Sequence, residues 1–91
     1  MTDRRLACRF AALSLAMRAK NGPLWRPEIE RLQDLAAPLD AGDCLQVGVV
    51  AFVAAWSVDR WDAVAMAEAG AALIRAVERA GWPEAAPQGA T

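Results

Sequence analysis

The chain has no histidine and no tyrosine, a single lysine, and only two cysteines among its 91 residues. The missing histidine removes imidazole bases and nitrogen-ligated metal sites. Cys8 and Cys44 form no CxxC pair, and each sits in an apolar helical context where a free thiol behaves as a small buried hydrophobe. No phosphate-binding loop, dinucleotide fingerprint, nucleophile with a base, or metal constellation can be named. Carboxylate pairs do occur, Asp40 with Asp43 and Asp59 with Asp62, but both stand at turns before helix starts and read as caps. The expectation is a protein that is not an enzyme and uses neither cofactor nor metal.

Long apolar runs are also scarce. The longest stretch without charge or proline is Cys44 to Val58, CLQVGVVAFVAAWSV, closed by Asp43 and Asp59. A bilayer-spanning helix needs roughly 18 or more apolar residues, so this run reads as a core helix and no membrane association is expected. Arg9 interrupts what would otherwise be the apolar stretch of a signal peptide, which makes the cytoplasm the default location.

What the chain does have is alanine and a 56% apolar content, enough to fill the core of one small domain. Net charge is −1, but residues 1–26 carry +5 and residues 27–91 carry −6. Either the basic end and the acidic body attract each other, or the basic end meets an anionic partner. The near-zero total favours the first, because a dedicated nucleic-acid module is usually strongly basic.

Periodicity predicts an all-α single domain, a bundle of about four helices around an apolar central helix, over residues 1–83, with residues 84–91 as a flexible tail. The first helix is expected from Asp3 to Lys20, capped by Thr2 and stopped by Asn21-Gly22-Pro23. Leu6, Phe10, Leu13 and Met17 form a narrow stripe expected to face the core. Cys8, Ala11, Leu15 and Ala19 form a second strip on nearly the opposite side, whose neighbour is either another helix of the same chain or another protein, such as a second copy. Arg5, Arg9 and Lys20 fall between the strips as a solvated face or a thin anion contact.

Trp25 is expected to plug one end of the bundle. Pro27 suits the first turn of a short helix whose buried stripe is Ile29, Leu32 and Ala36, with Pro38 ending it. Asp43 caps the central helix. Being apolar all round, that helix should be buried on nearly every side, with Gln46, Val50, Val53 and Ser57 its most water-tolerant line. VGVVAFV has strand character, but nothing pairs with it.

A break is expected near Ser57 to Arg60, because an unbroken helix from Asp43 to Ala80 would reach about 57 Å. Ser57 or Asp59 would cap the last helix, over Arg60 to Ala80. Its buried face is Met66, Gly70, Leu73, Ile74 and Val77. Its stop is Gly81, with Trp82 folded back on Val77. Trp61 and Val64 fall on the charged side of this helix, so they either pack under the preceding turn or belong to a contact surface.

These features point to a small helical protein-interaction module, an adaptor, regulatory or assembly subunit. It would act through apolar helix faces as a homo-oligomer, most simply a dimer. The contact residues expected from sequence are Cys8, Leu15, Trp61 and Val64. The alternative is a nucleic-acid-binding accessory protein using Arg5, Arg9 and Lys20. The helix after the Gly42 turn is too apolar to enter a DNA groove.

Overall fold

The computed structural model describes the backbone of residues 2–81 and the side chains of residues 4–81. Four α-helices follow one another: α1 (Thr2–Arg18), α2 (Arg26–Ala36), α3 (Cys44–Asp59) and α4 (Ala63–Ala80). A 3-10 turn, Ala19–Asn21, extends α1. No strand occurs among the described residues, and VGVVAFV is helical. The expected cap on Thr2, the packing of Trp82 on Val77, and the tail at 84–91 lie outside the described residues.

Successive helices run antiparallel. The start of α1 meets the end of α2, where the Arg4 guanidinium donates to the Asp34 carbonyl at 3.3 Å. The end of α1 meets the start of α2 through the Arg18–Glu28 ion pair. Arg5, near the start of α1, pairs with Asp43 at the start of α3, so these two helices point the same way. Gly48 near the start of α3 touches Leu73 and Ala76 towards the end of α4. With α1 packed on α2 and α4, and α3 packed on the same two, the helices close into an up-down-up-down ring.

The ends of the helices follow their local chemistry. Asp43 Oδ1 accepts from the Leu45 N–H at 2.9 Å and caps α3, as the sequence suggests. Glu28 accepts from the Trp25 N–H at the start of α2. The break after α3 falls at Arg60–Asp62, and the cap of α4 is Asp62, whose Oδ1 accepts from the Ala65 N–H at 3.0 Å. Asp59 instead accepts from the Trp61 N–H at 2.9 Å and shapes the turn. The expected cap at Ser57 or Asp59 is therefore displaced by one turn, because a second aspartate stands where the chain re-enters the helix. Gly81 stops α4 with φ 74°, a conformation that suits glycine.

Three expectations about packing are corrected. First, α1 is turned over. Cys8, Ala12, Leu15, Ala16 and Ala19 face the core, while Phe10 and Met17 are exposed and Leu6 and Leu13 lie half-buried at the margin. The reason is close approach: α4 presents Gly70 to the Ala16 carbonyl and the Ala19 methyl, and only a face of small residues admits it.

Second, Trp25 does not plug the bundle; it is exposed, and Leu24 is buried instead. The buried indole is that of Trp56, whose Nε1–H donates to the Leu24 carbonyl at 3.0 Å and ties the end of α3 to the connector before α2. Third, α3 is not covered on nearly every side by the described residues. It buries one stripe, Leu45, Val49, Phe52 and Trp56. Two neighbours in a ring of four leave each helix an outer face, however apolar that face is.

Candidate protein-interaction surface

The outer face of α3 is the most unusual surface of the molecule. Its buried stripe steps by four, three and four residues, from Leu45 to Val49, Phe52 and Trp56. On the opposite side Val47, Ala51, Ala54 and Val58 repeat the same steps, with Val50 and Ser57 beside them. Val47 is 55% exposed, Val50 59% and Val58 85%. Ala51, Ala54 and Ser57 are exposed as well, so the face carries no charged side chain from Val47 to Val58. A surface helix ordinarily places polar residues there.

Two grooves flank this face. The one between α2 and α3 has a volume of about 590 Å³ and is lined by Gln33, Asp34, Ala37, Gln46, Val50 and Val53, among others. The one between α3 and α4 has a volume of about 290 Å³, with Cys44, Val47, Gly48 and Ala51 on one wall and Ala72, Arg75, Ala76 and Arg79 on the other. α3 and α4 approach closely here because Gly48 lies against the Ala76 methyl and Leu73.

At the far end of α3 the apolar face runs into a cluster of arginine and tryptophan. The Arg26 and Arg60 guanidinium carbons both lie 5.3 Å from the centre of the Trp56 ring, and Arg60 lies 5.4 Å from the ring of Trp61. Trp61 is 67% exposed and Val64 is exposed too. Of the two readings open for these residues, packing under the turn is ruled out by that exposure. Asp59 and Asp62 are occupied as backbone caps.

The other expected site residues are placed differently. Cys8 is 0% and Leu15 4% exposed, so neither offers a contact to another protein; both belong to the core as a result of the rotation of α1. Burial pushes the Cys8 thiol up to about 11, partly offset by the Arg5 charge. Cys44 is half-buried and both thiols are free. The side of α1 that does face outwards is the stripe led by Phe10 and Met17.

The three cations do not form one anion contact. Arg5 is paired with Asp43, and Arg9 is fully buried beside the core face, where its charge helps hold the Asp43 carboxyl low. Lys20 alone is exposed. Both ion pairs described, Arg5–Asp43 and Arg18–Glu28, join the basic first helix to the acidic body. The charge asymmetry of the sequence is thus spent, in part, inside the fold.

Sequence reasoning placed Val50 and Ser57 on the water-tolerant line, and both are exposed, but missed Val47, Ala51, Ala54 and Val58 as surface residues. The available signal was the repeated four-three-four spacing on opposite sides of one helix, in a chain too short to cover both. Comparison of the chain with protein-family models, with curated proteins and with solved structures finds no match. No helix among the described residues is long and apolar enough to cross a membrane.

Proposed function

We propose that this protein is a small, non-catalytic helical interaction module, an adaptor, regulatory or assembly subunit. It works in the cytoplasm through apolar helix faces and associates with itself. The observation that carries this reading is the uncharged outer face of α3. Covering a valine or leucine side chain contributes roughly 1.5–3 kcal/mol, so several exposed valines on one helix represent a large unused driving force for association. The exposed Trp61 lines a hollow with Ser57 and Val58 and so extends the same surface past the end of α3, and tryptophan is a frequent anchor of protein interfaces.

The nucleic-acid reading has lost its main support, since Arg5 is engaged with Asp43 and Arg9 is buried. Light-scattering mass, measured with and without DNA or RNA at low salt, tests the choice. The expected result is a mass above that of one chain that nucleic acid leaves unchanged. A monomer that binds nucleic acid with a steep salt dependence would replace this reading with the other.

A further inference from the structure

We propose that the occupant of the outer face of α3 is a second copy of this chain, with the two α3 helices packed antiparallel about a two-fold axis that passes between Phe52 and Val53. The proposal rests on the reading of the protein as an interaction module and names the partner, the face and the register.

Self-complementarity is the first argument. A two-fold interface must match a patch with itself. The exposed seam reads Val47, Ala51, Ala54, Val58, large-small-small-large, and is symmetric about its midpoint. In the antiparallel register Val47 meets Val58 of the second copy and Ala51 meets Ala54 of the second copy. The alanines at the centre let the backbones approach, and the valines close both ends. Antiparallel helices also oppose their dipoles.

Charge is the second argument. An axis perpendicular to α3 within the contact plane keeps the two α4 helices on the same side, running in opposite directions. The end of α4 that carries Arg75 and Arg79 then lies across from the end of the other α4 that carries Asp62 and Glu68. Glu68, Arg75 and Arg79 are exposed, and none is in an ion pair among the described residues. Arg75 and Arg79 are one helical turn apart and repel each other unless a carboxylate approaches.

The third argument is shape. Trp61 follows the end of α3, and the register carries Trp61 of the second copy to the height of Cys44 and Val47. There the groove of about 290 Å³ opens between α3 and α4, with Arg75 and Arg79 on its wall. An indole entering it meets apolar Val47, Gly48 and Ala72 and two cations that suit its ring. A parallel pair would leave Trp61 about 20 Å away along the helix axis.

The full-length chain is examined by sedimentation equilibrium together with three sets of variants at exposed positions. Ala54→Glu places two carboxylates beside the axis, and the dimer dissociation constant should rise about a hundredfold or more with the helical circular dichroism unchanged. Phe10→Glu, on the outer side of α1, should leave it unchanged. Glu68→Arg and Arg75→Glu should each weaken the dimer, and the double variant should recover it, because both reversed charges then meet across the axis.

A wild-type chain that is monomeric at high micromolar concentration overturns the proposal together with the self-association reading. A dimer broken by Phe10→Glu and not by Ala54→Glu overturns the proposal while leaving the interaction reading in place. Failure of the double charge variant to recover association overturns the antiparallel register.

Discussion

Gly70 in the middle of α4 rests so closely on the Ala16 carbonyl of α1 that a Cβ at that position would stand 2.6 Å from the oxygen. The obstacle is backbone, which cannot swing aside as a side chain could. Gly70→Ala gains about 1 kcal/mol of helix propensity, whereas forcing α1 and α4 apart costs typically 1–3 kcal/mol. The expected outcome is a net loss of stability, read as a lower urea midpoint at constant slope. An unchanged or raised midpoint would show that the two helices pack less tightly than described.

Trp56→Phe is expected to destabilise the fold by about 1–2 kcal/mol through the lost hydrogen bond alone, since the Leu24 carbonyl at the bundle end loses its donor. The smaller ring adds a packing loss of the same sign. Trp25→Phe, at an exposed position, should be within about 0.5 kcal/mol of wild type. Equal effects in chemical denaturation would contradict the assignment of Trp56 as the buried plug.

Acid should weaken the protein through Asp43. The hydrogen bond from Arg5 holds the Asp43 carboxyl below its usual range, and Arg18 does the same for the more exposed Glu28. Because these folded-state values lie below the unfolded ones, the unfolded chain takes up protons first. The contribution is present in full above the ordinary carboxylate range and is lost as pH falls through it toward the folded values. Asp43→Asn keeps a competent helix cap but removes the ion pair, so its stability should depend less steeply on pH between neutral and acid conditions. Identical pH profiles for variant and wild type would count against the role of the pair.

The two thiols should differ in reactivity. Cys8 is buried with its pKa raised to about 11, so the thiolate that reacts is both scarce and covered. Alkylation of the native protein, followed by mass spectrometry, should modify Cys44 well before Cys8, and denaturant should equalise them. Early modification of Cys8 would mean that α1 detaches readily from the body.

How far the fold can be read from sequence depends on how much contrast each helix carries. In α2, Ile29, Leu32 and Ala36 stand out against Glu30, Arg31 and Asp34, and they are the residues buried. Most of α4 is legible for the same reason: Met66, Gly70, Leu73 and Val77 are buried, with Ile74 half-buried beside them. In α1 the large residues mislead. Leu6, Phe10, Leu13 and Met17 dominate a hydrophobicity count, yet what decides the facing is the capacity of Ala16 and Ala19 to admit Gly70.

α3 has too little contrast for its orientation to be read in full: of the water-tolerant line, Val50 and Ser57 are exposed but Gln46 and Val53 are half-buried. Its outer face emerges only when α2 and α4 are seen to cover the Leu45–Trp56 stripe and none of the described residues covers the other. Trp61 and Val64 were legible as residues out of keeping with a charged helix face, and both are exposed. Cys8 and Leu15 were misplaced with the rest of α1.

The most direct test is a nuclear Overhauser spectrum of methyl-labelled valine in the associated protein. Val47 and Val58 of one chain are eleven residues apart on a single helix, about 16 Å, too far for their methyl groups to touch. Antiparallel pairing of the outer faces of α3 brings Val47 of one copy against Val58 of the other. A Val47–Val58 methyl contact that persists between chains in a mixed-label sample is the predicted result. A self-associated protein showing no such contact, with intermolecular signals confined to Phe10 and Met17 on α1, would contradict it.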